Sequence, residues 1–293
     1  MPRPARMLLE MREHVQDVRL ICIDIDGTLV GSSGDVHPDI WSAVVRVRQA
    51  GIRLAVCSGR PALGLAIDFA NRLEPAGWHS FQNGASVINA GTGEARSQYL
   101  PESAVAQLVT RARSNHYALE LYTDTEYAIE SITQRAREHA ALLGVPFVPR
   151  AFESLRGRVV RAQWMVALHE LDAILAEPTV GLEVAASTSP VMPDTVFVGM
   201  TPAGVNKSVA VRAIAKEYAV PLSHVMFVGD GGNDVAAMQA VGTPVAMANA
   251  EPHVRAVASH VTGHVDQAGL VGALELALSM RGAFAPRSLN GTP

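Results

Sequence analysis

Short apolar runs alternate with longer stretches of helical periodicity in the first third of the sequence. Residues 18–25 (VRLICIDI) and 52–57 are rich in β-branched and other apolar residues. Each run is followed by a pattern that predicts a helix, at 38–50 and 61–73. This alternation is typical of a parallel sheet covered by helices. We therefore predict an α/β fold whose core is a Rossmann-like parallel sheet.

The last third of the chain repeats this organisation. Apolar runs at 225–228 and 244–247 alternate with predicted helices at 233–240 and 271–280. We expect these runs to belong to the same core domain as the first two.

The middle of the chain has a different pattern, in which longer strands of partial alternation are separated by helices. The predicted strands cover 118–129, 159–168, 180–186 and 195–200, and the predicted helices cover 102–115, 133–143 and 169–176. We predict an inserted α+β cap domain at residues 85–200. The core domain would then consist of residues 1–84 and 201–293.

Charge and apolar content limit the partners of this chain. The 293 residues include 24 Lys and Arg against 28 Asp and Glu, a net charge of −4, with no dense basic cluster. We therefore expect no nucleic-acid partner. No window approaches ~20 uninterrupted apolar residues, and the first 18 residues contain no apolar signal segment. We expect a cytoplasmic protein without a membrane partner, and no feature indicates its oligomeric state.

Three of the predicted strands end in polar or acidic residues. The segments are 24–28 (DIDGT), 58–60 (SGR) and 229–234 (GDGGND). In a parallel sheet, ligands bind at the carboxyl ends of the strands, so we expect these segments to meet. Because alternate residues of a strand point to opposite faces, a sharp turn at Gly27 is needed to bring the acidic residues of 24–28 together.

Four carboxylates crowded at one sheet edge would repel each other and raise each other's pKa. These carboxylates are Asp24, Asp26, Asp230 and Asp234. A divalent cation would remove the conflict, and oxygen ligands suit Mg²⁺ better than Zn²⁺. We predict a magnesium site here.

Lys207 adds a positive charge at the predicted start of a helix. Asn206 precedes it and is a suitable N-cap residue. Lys207 and Lys216 are the only lysines of the chain. A cation, an ammonium group and a helix N-terminus together form a site for a phosphate dianion.

The ordered set of these segments resembles the signature of the haloacid dehalogenase-like hydrolases, specifically the Cof-type phosphatases. The matching residues are 24–29 (DIDGTL), 58–60, Lys207 and 229–234. The insertion after Gly84 lies where this subgroup carries its larger C2-type α/β cap. The resemblance covers nearly the whole chain, although the cap matches in placement and pattern rather than in motifs.

The resemblance implies a Mg²⁺-dependent phosphatase that forms a phosphoaspartate. Asp24 would be the nucleophile and a metal ligand. Asp26 would be the general acid and base, and would bind the metal through its backbone carbonyl. Asp230 would be a side-chain metal ligand. The substrate would be a small phosphomonoester, such as a sugar phosphate or a phosphorylated cofactor.

The resemblance also implies phosphate-binding residues. Ser58, Lys207 and Asn233 would contact the phosphoryl group. Asp234 would act behind them, by orienting Lys207 or a metal-bound water.

Two other functions are compatible with these residues. A phosphomannomutase-like phosphotransferase would return isomerised monophosphate rather than free phosphate. A non-enzymatic sensor would bind a phosphorylated ligand without turnover, although a sensor has no use for a paired nucleophile and acid.

Overall fold

The computed structural model of the protein describes residues 17–176, 181–189 and 192–282. These residues divide into two compact units. The first consists of the described residues up to Ala55 together with those from Ala215 onward, and the second is Val56–Ile214. The first residue of the strand predicted at 180–186 lies outside the described residues.

The described strands are, in chain order, β1 Leu20–Ile23, β2 Arg53–Val56, β3 Trp78–Phe81, β4 Ser86–Asn89, β5 Ala118–Tyr122, β6 Tyr127–Ile129, β7 Arg161–Val166, β8 Leu182–Ser189, β9 Met192–Pro202, β10 Val225–Gly229, β11 Thr243–Ala246 and β12 His260–Val261. The described helices are α1 Pro38–Gln49, α2 Gly64–Leu73, α3 Glu102–Asn115, α4 Gln134–Leu143, α5 Leu171–Leu175, α6 Lys207–Glu217, α7 Val235–Met238, α8 Pro252–Arg255 and α9 Leu270–Gly282.

One sheet has the strand order β12-β11-β10-β1-β2. The pairs β1/β10, β10/β11 and β11/β12 are parallel. The register of the first pair sets Leu20 against Val225 and Ile23 against Val228. Every residue of β1 and β10 is buried, as expected for the centre of a parallel sheet with both faces covered. The predicted parallel core is confirmed.

The second unit contains an antiparallel sheet of order β6-β5-β7-β9-β8 and a separate β3/β4 hairpin. Leu119, Leu121, Trp164 and Val198 come from one face of this sheet and belong to one buried apolar cluster. The antiparallel sheet, with helices along the same stretch of chain, confirms the predicted inserted α+β element. The domain boundaries at residues 84 and 201 stay a prediction.

The single strand predicted at 118–129 is wrong, because this segment forms the hairpin of β5 and β6. The chain reverses between Thr123 and Glu126. The Thr123 N–H donates to the Glu126 carbonyl at 2.9 Å, and Thr123 Oγ1 accepts from the Glu126 N–H at 3.1 Å. A threonine hydroxyl that caps its own turn replaces the glycine that usually marks a hairpin.

Candidate active site

Asp24 follows β1 and is buried, with 5% of its surface exposed. Its backbone N–H donates to the Val228 carbonyl at 3.0 Å, so the residue is aligned with the end of β10. The chain then turns sharply, since the N–H groups of Leu29 and Val30 both donate to the Ile25 carbonyl, at 2.9 and 2.8 Å. The carboxyl ends of the two central strands therefore meet beside Asp24.

Gly27 makes this turn possible. Its φ of +76° lies in the left-handed region that favours glycine. A Cβ atom at this position would lie 2.1 Å from Asp230 Oδ2, so any side chain would displace that carboxylate. The turn expected at Gly27 is confirmed. Asp26, which precedes it, is exposed.

Asp230 follows β10 and is held by two neutral donors. Thr28 Oγ1 donates to Asp230 Oδ1 at 2.9 Å, and Asn249 Nδ2 lies 3.4 Å from Asp230 Oδ2. Asn249 Nδ2 also donates to the Gly27 carbonyl at 2.8 Å. Asn249 is a site residue that none of the predicted motifs includes, although it follows β11, and ligands bind at the carboxyl ends of parallel strands.

Asp234 is fully buried in the turn after β10. Its Oδ2 accepts from the backbone N–H groups of Asp230 and Gly231, both at 3.0 Å. A Cβ atom at Gly229 would lie 2.4 Å from the same oxygen, so this glycine leaves room for the carboxylate. Asp234 thus fixes the loop that presents Asp230, and the role predicted for it toward Lys207 or a water stays a prediction.

Three carboxylates come together in the first unit. Asp24, Asp230 and Asp234 each offer an oxygen, and these oxygens all lie within 4.8 Å of one another. Three close carboxylates repel each other unless a cation or protons compensate them. The donor set is all oxygen, which fits Mg²⁺. Asp26 is not in this group, so its contact with a metal through the backbone carbonyl stays a prediction. Asn233 is exposed in the same turn.

Ser58 lies in the second unit, two residues after β2, and is fully buried. Its N–H donates to the Ser80 carbonyl at 2.9 Å, and its Oγ accepts from the Arg60 N–H at 3.1 Å. The Asn83 N–H donates to the Ser58 carbonyl at 3.0 Å. These bonds fix the loop that carries the hydroxyl group.

Lys207 is the first residue of α6, and 1% of its surface is exposed. The predicted N-cap is confirmed, because Asn206 Oδ1 accepts from the N–H groups of Ser208 and Val209 at 2.9 and 3.3 Å. A buried ammonium needs a polar or anionic environment, which is consistent with a role in binding phosphate.

His79 lies on β3, next to the β2 strand that leads to Ser58, and is fully buried. Its Nδ1 accepts from the Val56 N–H at 3.1 Å, so the ring's other nitrogen carries the proton and donates to the Glu74 carbonyl at 2.9 Å. Burial lowers the pKa of His79 to about 4, although the bond to Glu74 opposes this change. The ring is therefore neutral near pH 7.

Comparison with known proteins gives the family of this fold and site. The sequence profile of the haloacid dehalogenase-like hydrolases matches residues 21–274. The chain is 24% identical over 265 residues to putative phosphatase M6_Spy0533 of Streptococcus pyogenes, covering 88% of this chain and 97% of that protein. It is 22% identical over 256 residues to 5-amino-6-(5-phospho-D-ribitylamino)uracil phosphatase YcsE of Bacillus subtilis, covering 86% and 92%.

A solved structure agrees with these relatives. The crystal structure of a haloacid dehalogenase-like hydrolase from Bacteroides thetaiotaomicron superposes with a TM-score of 0.77 and 26% identity, covering 88% of this chain and 98% of that one. The chain belongs to the haloacid dehalogenase-like hydrolase family. Within the family it is a Cof-type phosphatase, which confirms the predicted fold, family and enzyme class. Among the described residues, no helix is both long and apolar enough to cross a membrane.

Proposed function

We propose that the protein is a Mg²⁺-dependent phosphatase that hydrolyses a small phosphomonoester through a phosphoaspartate on Asp24. The observation that carries the proposal is the group formed by Asp24, Asp230 and Asp234, whose carboxylate oxygens lie within 4.8 Å of one another. This group follows the adjacent strands β1 and β10, at the edge where parallel sheets bind their ligands.

Asp24 and Asp230 would hold the metal with their side chains, and Asp26 with its backbone carbonyl. Bound Mg²⁺ would neutralise negative charge on the carboxylates and on the phosphoryl oxygens. Asp234 would hold Asp230 in place for the metal, because its carboxylate accepts from the backbone N–H groups of Asp230 and Gly231.

The two aspartates of the first loop would divide the chemistry. The Asp24 carboxylate attacks phosphorus, so a P–O bond forms to Asp24 while the P–O bond to the leaving group breaks. Asp26 donates its proton to the leaving oxygen. It then takes a proton from the water that hydrolyses the phosphoaspartate, which releases phosphate and restores both residues. Its exposure allows Asp26 to exchange protons with solvent.

We also propose that Ser58, Lys207 and Asn233 bind the phosphoryl group. Two observations support this role: all three residues belong to the matching motifs, and Ser58 and Lys207 lie in suitable environments. Ser58 is fixed by two backbone hydrogen bonds and one accepted by its hydroxyl group, and Lys207 is a buried cation at a capped helix start.

The substrate class we propose is a sugar phosphate or a phosphorylated cofactor. The name of the relative YcsE specifies a phosphoribitylamino compound, which is a small phosphorylated molecule. Because that relative is 22% identical, its own substrate is not transferred to this chain.

The test is phosphate release from a panel of phosphomonoesters, with Mg²⁺ and with EDTA. We expect release from a few panel members, dependent on Mg²⁺ and absent in Asp24→Asn. Asp26→Asn should lower kcat by ~10²- to 10⁴-fold, the usual contribution of general acid–base catalysis. The control is Asp39→Asn, which removes an exposed carboxylate from α1.

Two results would contradict this assignment. If Asp26→Asn stays within ~10-fold of wild type, Asp26 is not the acid and base. If a sugar bisphosphate yields isomerised monophosphate and no free phosphate, the protein is a phosphotransferase.

A further inference from the structure

Arg161 begins β7 and reaches the loop that carries Ser58. Its Nη1 donates to the Gly59 carbonyl at 3.1 Å and to Gln82 Oε1 at 3.0 Å, and its Nη2 donates to Gln163 Oε1. Gly59 is the next residue after Ser58 in the chain. The guanidinium group is thereby fixed beside the proposed phosphate-binding loop, within the same compact unit.

The acceptors that hold Arg161 are all neutral. Among the described residues, no carboxylate oxygen lies within ion-pair distance of its guanidinium. The nearby Glu120 makes no hydrogen bond to it, and its own oxygens accept from His139 at 2.8 Å, Tyr122 at 2.5 Å and Gln163 at 3.0 Å. Buried charges are normally paired with an opposite charge, because desolvation is costly. Arg161 therefore has no hydrogen-bonded counter-ion among the described residues, although the Tyr122 ring lies 6.0 Å from its guanidinium carbon.

Two buried donors lie at the same place. Arg161 Nε and Gln82 Nε2 are buried and have no hydrogen-bond partner among the described residues. Buried donors without a partner are rare in folded proteins and call for a ligand or water. Gln82 also has a φ of +55°, in the left-handed region, and such strain in a residue with a side chain is concentrated at ligand sites.

Gly199 on β9 provides the space for the guanidinium. A Cβ atom at this position would lie 2.8 Å from Arg161 Nη2 and 3.1 Å from Nε. Since φ at Gly199 is not in the left-handed region, alanine would be tolerated by the backbone but would displace the arginine. This gives a way to move Arg161 without removing it.

We propose that Arg161 and Gln82 bind a second anionic group of the substrate, either a carboxylate or a second phosphoryl group. The planar guanidinium matches two oxygens of such a group, and Gln82 Nε2 supplies a further donor. Arg161 is half-buried as a residue, while its Nε atom is itself buried. This inference rests on the proposed function, because the first group it assumes is the phosphate ester.

The test compares substrates that differ by one anionic group. Phosphoserine and phosphoethanolamine differ by a carboxylate, and fructose bisphosphate and fructose phosphate differ by a phosphoryl group. Binding is measured by calorimetric titration in the presence of Mg²⁺. The proteins are Asp24→Asn, which we expect to bind these compounds without hydrolysing them, and the double variant Asp24→Asn/Arg161→Gln. We expect the more anionic member of one pair to bind more tightly, and Arg161→Gln to weaken only that member by ~10- to 100-fold, the usual effect of a charged hydrogen bond. The pair that responds identifies the group.

Two variants serve as controls. Gly199→Ala, on the same Asp24→Asn background, should reproduce the selective loss because it displaces Arg161. Arg137→Gln, which removes an exposed arginine from α4, should leave the affinities unchanged. Near-UV circular dichroism checks that each variant is folded.

The outcomes separate this inference from the proposed function. If Arg161→Gln weakens both members of each pair equally, or neither, the subsite is wrong and Arg161 only supports the loop. That conclusion about the subsite does not depend on whether the wild-type protein releases phosphate, which is measured in a separate assay. Absence of any phosphate release would instead contradict the proposed function.

Discussion

Asn249 joins the loop after β1 to a segment near the end of the chain. Its Nδ2 donates to the Gly27 carbonyl at 2.8 Å, and its Oδ1 accepts from the Val265 N–H at 3.0 Å. The same Nδ2 lies 3.4 Å from Asp230 Oδ2. One amide thus contacts the turn after Asp24 and a proposed metal ligand, so it positions both.

Asn249→Ala should therefore reduce both stability and activity. The Gly27 carbonyl and the Val265 N–H lose their partner, which predicts a loss of about 1–3 kcal/mol in the free energy of unfolding. We expect kcat to fall as well, because Asp230 and the Gly27 turn lose their common anchor. Urea unfolding and phosphate release measure the two effects, with the exposed Asn115→Ala at the end of α3 as the control. Unchanged kcat would show that Asn249 has no positioning role.

Gly27→Ala should abolish Mg²⁺-dependent activity, because the new Cβ would lie 2.1 Å from Asp230 Oδ2. Gly34→Ala is a matched control, since Gly34 has nearly the same φ, +79°, but nothing within 4 Å of an added Cβ. Both variants place a Cβ on a residue with a left-handed φ, and only the first displaces a carboxylate. Equal loss of activity in the two would mean that strain, rather than the displacement of Asp230, is responsible.

Asp234→Ala should destabilise the protein even without metal. The backbone N–H groups of Asp230 and Gly231 would both lose their acceptor in a partly buried turn, and an orphaned buried donor costs about 1–3 kcal/mol. Urea unfolding in EDTA measures this cost separately from metal binding. A variant as stable as wild type in EDTA would show that the two hydrogen bonds of Asp234 add no net stability when the metal is absent.

Asp24→Asn should change the response of the melting temperature to Mg²⁺. In EDTA the substitution removes one of three close carboxylates, so relief of repulsion should leave the melting temperature unchanged or higher. With Mg²⁺ the wild type gains stability from the bound ion, and the variant gains less. Thermal melts in both buffers test this, and a Mg²⁺-induced shift of equal size in the two proteins would remove Asp24 from the metal site.

His79 should make the protein sensitive to mild acid. Its pKa is about 4 in the folded protein against 6.5 in the unfolded chain. Between these values only the unfolded chain binds the proton, so stability falls as the pH drops from about 6.5 to about 4. The free energy of unfolding therefore falls by roughly 3 kcal/mol over this range, at about 1.4 kcal/mol per pH unit.

His79→Gln should flatten this part of the pH–stability curve relative to wild type, as measured by urea unfolding at several pH values. The control is His260→Gln, which replaces an exposed histidine on β12. If the slopes of wild type and His79→Gln agree between pH 4 and 6.5 within error, His79 is not the source.

Several features of the site could be predicted because each depends only on residues that are close together in the sequence. An acidic segment after an apolar run places Asp24 at a strand end, and an asparagine before a helical pattern places Asn206 at an N-cap. The turn at Gly27 follows from the spacing of its acidic neighbours. Local pattern is sufficient in these cases because the physical cause is local.

Other features could not be predicted because they depend on pairing between distant segments. Asn249 and Gly27 meet only once β11 and β1 are in one sheet, and the contact spans 222 residues. Arg161 lies in the strand predicted at 159–168, and nothing in the sequence distinguishes it from other polar residues on predicted strands. Its neutral acceptors and its space beside Gly199 appear only when β7, β9 and the Ser58 loop are assembled.

The pairing of β1 with β10 also determines when the acidic cluster can form during synthesis. Thr28 and Asp230, which are hydrogen-bonded, lie 202 residues apart in the chain. A nascent chain that has not yet reached β10 has β1 and β2 but lacks the central neighbour of β1, and loops of this length close slowly. The group of three carboxylates is therefore a late product of translation, and a fragment that ends before residue 225 would lack two of the three however well its remaining segments fold.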